Sequence, residues 1–307
     1  MKRVLLIYNP RSGRRRLLAP PVLKLVKALH KECDIDLRTI TKNRDSYSIV
    51  NSIYGNEYDL LIACGGDGTL HHVVNALLDS QLDIPIAYTP CGSTNDFAKT
   101  LNLPKDPYAT AKSVLKSEPA PIDLGAFNEE TYFTYVASFG LLPEVSYKVS
   151  EKNKNRFGYL AYLMSGLKAL IKIGKAPTYK IDMTIDNNRR IEGEYLMGLM
   201  CNSVSVGGLI KLPSDIVDIQ DGKFEGVFFK KPASEKEWVS LVKDVLRGNF
   251  MESPLIDFFE FSQLSLSMPK TLWSLDGERV EGSENVSICC IPYAVKIHTK
   301  HKNFVHT

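Results

Sequence analysis

The sequence predicts two structural parts, an α/β domain with a parallel sheet followed by a mainly antiparallel β domain. Short apolar runs alternate with segments of helical periodicity through roughly the first 120 residues, which is typical of a parallel sheet covered by helices. Beyond Pro119 and Pro121, segments with strand character dominate. The length of 307 residues also favours two domains, because a single core rarely grows beyond about 250–300 residues. We therefore place the boundary near residue 125.

The composition is that of an ordinary globular protein, and it excludes several functional classes. The formal net charge of +3 is far from the basic excess of a dedicated nucleic-acid-binding protein, so we expect no nucleic acid partner. The six cysteines have neither zinc-site spacing nor a dense disulfide framework, which favours a reducing cytoplasm. No stretch approaches the ~20 apolar residues of a membrane-spanning helix. We therefore expect no transmembrane segment and only peripheral membrane contact.

The first predicted strand, Val4–Tyr8, is followed by a polar turn and a cluster of arginines. The turn consists of Asn9, Pro10, Arg11, Ser12 and Gly13, and Arg14–Arg16 come next. A helical pattern then begins near Pro20, since proline is favoured in a first helical turn. Hydroxyl, amide and guanidinium groups at the end of a strand suit a polyphosphate ligand. A solvated, basic helix start would explain the same residues.

The stretch from Leu60 to Leu70 predicts a buried strand, a glycine turn and a helix. The apolar run Leu60–Ala63 suits a buried parallel strand, and glycine then occupies three of the four positions 65–68. The N–H groups at the start of the following helix suit a phosphate. Asp67 would repel that phosphate unless a cation lay between them, so it implies Mg²⁺ or a second polar role. A tight turn without a ligand is the alternative.

A third polar turn follows the predicted strand Ile84–Tyr88. The segment Pro90–Ala98 contains a row of hydroxyl, amide and carboxylate groups, which is more than a helix cap requires and indicates function. A helix running to Leu101 can be capped by Ser93, Thr94 or Asn95. Because ligands gather at the carboxyl ends of parallel strands, we expect all three turns to lie at one edge of the sheet.

The second part reads as a series of strands. A hairpin turn is expected at Asp186–Asn188, and a helix over Ser234–Leu246. A basic amphipathic helix from about Gly158 to Lys172 either binds a membrane surface or covers one face of the β domain. The predicted strands are Thr131–Ala137, Tyr179–Ile185, Arg190–Cys201, Phe224–Phe229, Phe258–Met268 and Val286–Ile291.

Two acidic clusters and the histidines complete the candidate groups. Asp218 and Asp221 precede a glycine turn at a spacing that suits Mg²⁺ or Ca²⁺, although a solvated turn would look the same. The sequence Asp276-Gly277-Glu278 carries a common hairpin signal. We expect His71 and His72 on the helix face opposite Leu70 and Val74. The tail histidines are expected to be solvated, and they are His298, His301 and His306.

Taken together, these motifs resemble the diacylglycerol kinase catalytic family of soluble lipid kinases, which includes sphingosine and related bacterial lipid kinases. Gly65–Thr69 alone also resembles NAD kinases and phosphofructokinases. Asn95–Ala98 and the late Asp276–Glu278 narrow the resemblance to the diacylglycerol kinase family. The motifs occur in family order over nearly the whole chain, and they are Asn9-Pro10 with Ser12-Gly13, Gly65–Thr69, Gly92–Ala98, Ile122-Asp123, Asp221-Gly222 and Asp276–Glu278.

The resemblance implies an NAD kinase-like, ATP-binding α/β domain at residues 1–125 and a β-sandwich domain at 126–292, with an active site in the cleft between them. It also implies that residues 293–307 return to the first domain. The implied reaction is Mg²⁺-assisted phosphorylation of a lipid alcohol by ATP, with diacylglycerol as the favoured substrate. The implied location is cytoplasmic and peripheral at the inner face of the membrane. A homodimer is compatible with the resemblance, but neither the oligomeric state nor the lipid is fixed by it.

The resemblance also implies a role for individual residues. Glu278 matches the general base, and Asp67, Asp96 and Asp123 match carboxylates that act with Mg²⁺ and water near the phosphates. Asp218, Asp221 and the carbonyl of Lys223 match a structural magnesium site. His72 departs from the family pattern, which usually has glutamate there. The positions that match ATP contacts are Asn9, Pro10, Arg11, Ser12, Gly13, Thr41, Gly65, Gly66, Asp67, Gly68, Thr69, Leu70, His71, His72 and Ser93.

Two other functions compete with this interpretation. An NAD kinase would usually show an Asn-Glu pair after the second glycine-rich turn, and none is present between Gly92 and Leu124. A non-catalytic regulator that binds nucleotide or lipid would be expected to lack the catalytic carboxylates, which are present here. Apolar residues of the second part could line an acyl channel or simply fill a core, and they are Phe133, Phe139, Leu141 and Leu142.

Overall fold

The computed structural model describes residues 1–13, 20–55, 57–140, 177–208 and 210–300. The chain divides into two compact units, of which one comprises Met1–Leu124 and the segment from Pro292 onward, and the other Gly125–Ile291. The predicted basic helix near 158–172 lies outside the described residues. So do Arg14–Arg16, Leu141, Leu142, His301 and His306.

The first unit is built on a parallel sheet, as the alternating pattern predicts. Strand β1 lies between β2 and β3, β4 pairs with β3, and every one of these pairs is parallel. The end of the last strand, β17, lies parallel to β4 through Ile297 and Ile86. The strands are β1 (Lys2–Tyr8), β2 (Cys33–Thr39), β3 (Leu60–Gly65), β4 (Ile86–Pro90) and β17 (Asn285–His298).

Five described helices accompany this sheet, and their ends follow ordinary capping chemistry. Proline occupies the first turn of α1 and of α5, where no N–H is needed. The side chains of Asp45 and Asp106 cap α2 and α5 by accepting from the N–H groups of Ser48 and Ala109. The helices are α1 (Pro21–Leu29), α2 (Ser46–Val50), α3 (Asp67–Asp79), α4 (Asp96–Thr100) and α5 (Pro107–Val114).

The central strands β1 and β3 are buried on both faces. Alternate residues of each strand pack with α1 and α5 in one apolar cluster, and Val4 and Ile62 are examples. Their neighbours in sequence, such as Leu5 and Leu61, point to the opposite face and are equally buried. Burial on both faces explains why these strands read as continuous apolar runs.

The second unit is mainly antiparallel, as predicted. The long strand β9 pairs with β7, β8 and β12, each time antiparallel. One helix, α6 (Glu235–Arg247), follows β12. The strands are β5 (Pro119–Phe127, which begins in the first unit), β6 (Thr131–Phe133), β7 (Val136–Gly140), β8 (Tyr179–Ile185), β9 (Arg189–Cys201), β10 (Ser205–Val206), β11 (Ile210–Lys211), β12 (Phe224–Lys230), β13 (Ile256–Phe261), β14 (Gln263–Ser267), β15 (Leu272–Leu275) and β16 (Glu278–Glu281).

The predicted turn and helix of this unit are confirmed. Asp186 and Asn187 both have positive φ between β8 and β9, which Asp and Asn tolerate. Ser234 caps α6 by accepting from the Glu237 N–H, and the Glu237 carboxylate accepts from the N–H of Ala233. Among the helices of the described residues, none has the length and apolar character needed to cross a bilayer.

Two of the predicted strands are wrong, because each is split into two shorter strands. A buried carboxylate interrupts the first, and a carboxylate in a turn interrupts the second. Thr131–Ala137 breaks into β6 and β7 where consecutive N–H groups of residues 134–136 bend toward Asp276. Phe258–Met268 breaks at Ser262, whose N–H and hydroxyl both donate to Asp186. A side chain distant in sequence satisfies these amides in place of a neighbouring strand.

Aromatic side chains fill the core of the second unit. Trp273 packs against Phe127 and Phe139, with ring centroids 5.0 Å apart in each pair, a separation typical of edge-to-face and tilted contacts. Phe133 and Phe139 are fully buried in the same cluster. Core packing therefore accounts for these two residues, which the sequence left open as candidates for an acyl channel.

The predicted solvation of His298 is wrong. It lies at the end of β17 and is only 4% exposed, and its Nδ1 is 3.0 Å from the Ser117 hydroxyl. Burial, with a further contribution from the charge of Lys2, lowers the pKa of His298 to about 4, against a smaller opposing effect of Glu118. The imidazole is therefore neutral in the folded protein at neutral pH.

We predict that His298 makes folding stability fall on mild acidification. Because its folded pKa is below the ordinary value of about 6.5, the unfolded chain binds a proton first as the pH drops from about 6.5 toward 4. The free energy of unfolding of the parent should therefore decrease more between pH 7 and pH 5 than that of His298→Asn. Urea unfolding at both pH values measures this, and equal pH dependence in the two proteins would contradict it.

Candidate active site

The three polar turns of the first unit meet at the carboxyl ends of β1, β3 and β4. Asn9 Nδ2 donates to Thr69 Oγ1 over 2.9 Å, and Ser12 Oγ lies 3.5 Å from the same hydroxyl. The N–H of Gly66 donates to Ser12 Oγ over 3.2 Å, and the N–H of Cys91 donates to the carbonyl of Gly65. The predicted convergence of these turns at one sheet edge is confirmed.

The turns approach so closely that side chains would not fit between them. A Cβ at Gly92 would lie 2.6 Å from Cα of Gly66, and one at Gly13 would lie 2.1 Å from the carbonyl oxygen of Cys91. Gly13 also has a φ of +78°, which strongly favours glycine. We call Asn9–Gly13, Gly65–Thr69 and Cys91–Asn95 together the turn cluster.

Asp67 is bonded to the start of helix α4. Its Oδ2 accepts from the N–H of Asp96 over 3.1 Å, and its Oδ1 lies 3.4 Å from the N of Phe97. These are among the first N–H groups of α4, which have no acceptor within the helix. The second polar role that the sequence left open for Asp67 is therefore present, and the carboxylate joins the glycine turn to the turn after β4.

The prediction that Ser93, Thr94 or Asn95 caps α4 through its side chain is wrong. Asn95 occupies the cap position, but its φ of 50° is left-handed and its side chain makes no cap bond. Instead, Asn95 Oδ1 accepts from the Gly92 N–H over 2.8 Å and Nδ2 donates to the Gly92 carbonyl. Asn95 thus closes its own turn, and Asp67 supplies the acceptors for α4.

A buried phenol links these two side chains. The hydroxyl of Tyr88 lies 3.2 Å from Asn95 Oδ1 and 3.4 Å from Asp67 Oδ1. Burial and then the charge of Asp67 raise the pKa of Tyr88, so it remains a protonated donor. Tyr88 therefore fixes the orientation of the Asp67 carboxylate, a role that the sequence reading did not assign to it.

The other two predicted magnesium carboxylates are deeply buried. Asp96 Oδ1 accepts from Lys99 Nζ over 2.7 Å, and Asp123 Oδ1 accepts from the N–H of Tyr293 over 2.9 Å. In the described ranges, no three His, Cys, Asp or Glu side chains form a metal-binding group. Asp67 and Asp96 are in contact, but the carboxylates of Asp67, Asp96 and Asp123 do not form a complete set of metal ligands by themselves. Mg²⁺ usually keeps waters and phosphate oxygens as ligands, so an open arrangement still suits it.

The remaining predicted nucleotide contacts have different surroundings. Thr41 closes its own turn, accepting from the Asn43 N–H at its hydroxyl. Ser93 is exposed. Leu70 and His71 are both buried in the unit, so the side chain of His71 is not on a solvent-exposed face of α3. His72 packs edge-on against the ring of Tyr47 from α2, with centroids 6.4 Å apart.

In the second unit, Glu278 begins β16 directly after a two-residue hairpin turn. Asp276 and Gly277 have φ values of 52° and 95°, as a type I′ turn requires. The carboxylate of Asp276 is buried and accepts from the N–H groups of Thr134, Tyr135 and Val136 at 2.6, 3.0 and 3.1 Å. Asp276 thus anchors the hairpin, and Glu278 is half-buried beside it.

In the second acidic cluster, burial and mutual repulsion disfavour the ionised carboxylates. Asp218 accepts from the backbone N–H of Gln220, and Asp221 accepts from that of Lys223. Burial raises the pKa of Asp221, and the charge of Asp218 adds to this effect. Glu225 is buried with one oxygen that has no hydrogen-bond partner, and burial raises its pKa to about 9. These groups fit a divalent cation, which would stabilise their ionised forms.

Comparison with known proteins identifies the family. The sequence model of the diacylglycerol kinase catalytic domain matches residues 3–127. The diacylglycerol kinase of Bacillus subtilis (strain 168) is 32% identical over 283 residues, which cover 91% of this chain and 90% of that protein. This chain belongs to the diacylglycerol kinase family. The resemblance drawn from the motifs is confirmed, and membership places the chain among kinases.

Two solved structures from this comparison share the fold. A diacylglycerol kinase from Bacillus anthracis str. Sterne matches with a TM-score of 0.75 at 20% identity, covering 99% of this chain and 98% of that one. An NAD kinase from Archaeoglobus fulgidus in complex with ATP matches with a TM-score of 0.56 at 13% identity, covering 98% and 95%. The predicted fold class, an NAD kinase-like α/β part followed by a β part, is confirmed.

Sequence reasoning missed three groups that shape the two candidate sites. Tyr88 reads as an ordinary strand residue, and Lys99 as a solvated helix lysine. Asp276 was read as a turn former, although it is also a buried acceptor. For Asp276, the only local signal is that a glycine follows the aspartate. That signal does not distinguish an exposed turn from a buried one. The contacts of Tyr88 and Asp276 join residues far apart in the chain, whereas Lys99 contacts the buried Asp96 three residues earlier.

We predict that Asp276→Ala destabilises the second unit by at least about 2 kcal/mol, because it leaves several buried donors without an acceptor. Urea unfolding followed by tryptophan fluorescence measures this, since Trp273 lies on the same hairpin. The matched control is Glu278→Gln, two residues away, which should change the free energy of unfolding by less than about 0.5 kcal/mol. Similar stability of the two variants would contradict the anchoring role.

Proposed function

We propose that this protein is an ATP-dependent lipid kinase that phosphorylates a hydroxyl of a lipid alcohol, with diacylglycerol as the substrate and phosphatidic acid as the product. The observation that carries the proposal is the turn cluster. Its turns lie at the carboxyl ends of parallel strands, where such sheets bind ligands, and helix α3 begins in it after Gly66, with its positive end there and without a side-chain cap. The fold shared with an ATP-bound NAD kinase supports ATP as the nucleotide.

In this proposal, nucleotide contacts come from the backbone and short polar side chains of the turn cluster. Thr69, Ser12 and Asn9 already form a hydrogen-bonded network, so a phosphate would meet groups that are held in place. The buried side chain of Leu70 restricts that residue to backbone contacts. His72, in contact with Tyr47, is the least supported of the proposed nucleotide contacts.

Mg²⁺, when bound with the nucleotide, would offset charge on the β- and γ-phosphates. We assign Asp67, Asp96 and Asp123 to its immediate surroundings, through direct or water-mediated contacts. Asp67 has the further task of holding the turn after β4 through its bonds to α4. A structural cation would be held by Asp218, Asp221 and the carbonyl of Lys223, where it would offset the repulsion between the two carboxylates.

The chemical step assigned to this chain's own residues is proton removal. Glu278 accepts the proton of the lipid hydroxyl as that oxygen attacks the γ-phosphorus in line. The hairpin that carries Glu278 is held in place by the hydrogen bonds of the Asp276 carboxylate to the backbone of Thr134 and Val136. Such anchoring suits a base that must keep its position. The lipid would be presented at a membrane surface, with the protein cytoplasmic and peripheral at its inner face.

One assay tests the proposal and separates it from its alternatives. The full-length protein is incubated with radiolabelled ATP, Mg²⁺ and vesicles of a total lipid extract, and labelled products are identified. Labelled phosphatidic acid is the expected result. Label transferred to NAD in a parallel reaction would instead support the small-molecule kinase. Absence of turnover over a broad panel of lipid alcohols would favour a non-catalytic regulator.

We predict that Glu278→Gln lowers the rate of lipid phosphorylation by about 10²–10⁴-fold while ATP affinity stays within about twofold. Glutamine keeps the size of the side chain but cannot accept the proton. Steady-state kinetics and nucleotide titration provide the two measurements. Turnover equal to that of the parent would remove Glu278 from the role of base.

We predict that Asp67→Ala abolishes activity and that excess Mg²⁺ does not restore it. The substitution removes both the charge and the acceptors for α4. Asp67→Asn is the matched variant, because one amide oxygen can still accept from the Asp96 N–H while the charge is lost. It should keep the thermal stability of the parent and remain inactive. A fully active Asp67→Asn protein would show that the charge is not needed.

A further inference from the structure

Two cysteines lie in contact where β3 and β4 meet the turn cluster. The Sγ atoms of Cys64 and Cys91 are 3.5 Å apart, and both residues are free thiols. Cys64 belongs to the end of β3, directly before Gly65, and Cys91 follows β4 directly before Gly92. Each thiol therefore adjoins one of the two glycine turns, and neither has a part in the proposed phosphoryl transfer.

The surroundings of this pair leave little room for movement. The backbones of Gly66 and Gly92, each within two residues of a cysteine, are in contact. The carbonyl of Cys91 also lies against Gly13 of the first turn. A disulfide requires the sulfur atoms to approach to about 2.05 Å. Closing the present gap would therefore shift at least one turn against its neighbours.

The two thiols differ in reactivity. Cys64 is buried, whereas Cys91 is partly exposed, so a small solute can reach the second sulfur first. The hydrogen bond between the thiols lowers the pKa of Cys91 and raises that of Cys64, in each case as the largest effect. A thiolate is the reactive form of cysteine. Cys91 is thus suited to attack an oxidant, and Cys64 to resolve the product.

We propose that Cys64 and Cys91 form a redox modification site, at which hydrogen peroxide produces a reversible disulfide that impairs nucleotide binding. This inference rests on the proposed function for its effect on ATP, but the formation of the disulfide does not depend on it. The remaining cysteines are poorly placed to compete. Cys33 and Cys201 are buried, and the adjacent Cys289 and Cys290 point to opposite faces of β17.

The reaction is a two-electron oxidation that balances with one peroxide. The Cys91 thiolate attacks one peroxide oxygen, forming an S–O bond as the O–O bond breaks and hydroxide leaves. The Cys64 sulfur then attacks the sulfenic sulfur, the S–S bond forms, and the oxygen leaves as water with the Cys64 proton. The two thiols are oxidised and the peroxide is reduced to two water equivalents. A dithiol reductant reverses the reaction by exchange.

The experiment measures the disulfide and its consequence separately. Reduced full-length protein is treated with hydrogen peroxide, free thiols are alkylated, and the Cys64 and Cys91 peptides are mapped by mass spectrometry. ATP affinity and the lipid phosphorylation rate are measured before oxidation, after oxidation and after dithiothreitol. We expect a Cys64–Cys91 linkage, a loss of ATP affinity of at least about tenfold, and recovery on reduction.

Variants keep the test specific. Cys64→Ala, which lies in β3 outside the turn cluster, should bind ATP like the reduced parent and form no disulfide at Cys91 with peroxide. Cys289→Ala, which removes a partly exposed thiol in the other unit, should respond as the parent does. The inference is overturned if peroxide links other cysteines instead, if no linkage forms, or if the linked protein binds ATP normally. A reduced parent that neither binds ATP nor phosphorylates any lipid would refute the proposed function, whereas the peptide map would still decide the disulfide.

Discussion

The bond between the Asp67 carboxylate and the start of α4 is the interaction on which the first unit's site depends. It connects a turn that ends one strand with the helix that follows the next strand. Three glycines let these turns touch, but contact between glycines carries no directional preference of its own. The carboxylate supplies that direction, because its oxygens must meet particular N–H groups. Tyr88 then limits how the carboxylate can rotate.

A comparable device organises the hairpin in the second unit. Asp276 lies in a short turn whose positive φ values favour Asp and Gly on conformational grounds alone. Its carboxylate also receives three consecutive N–H groups from a segment about 140 residues earlier. In both units, therefore, an aspartate beside glycine orders a neighbouring piece of chain. An Asp-Gly pair in a sequence can thus indicate either a solvent-facing turn or a buried anchor, and local sequence does not distinguish the two.

Most of the fold was predictable, because it follows from periodicity and from apolar runs. The parallel strands of the first unit and the capped helix after Ser234 have clear local signals. The errors lie where a distant side chain overrides a local pattern. Asp276 breaks a predicted strand, Asp186 breaks another, and burial of His298 depends on which strand its segment joins. The site residues were found through motif order, whereas their actual hydrogen-bond partners required the tertiary structure.

The position of β17 has a consequence for the order in which this chain can fold. Strand β4 would be an open edge of the parallel sheet without the residues near Ile297, which are made more than two hundred positions later. During synthesis, the first unit therefore keeps an unpaired edge until the residues of β17 have left the ribosome. An unpaired edge strand is prone to pair with other chains. The nascent protein is thus most exposed to misassembly just before β17 docks. Binding of a chaperone in that interval would prevent the most misassembly.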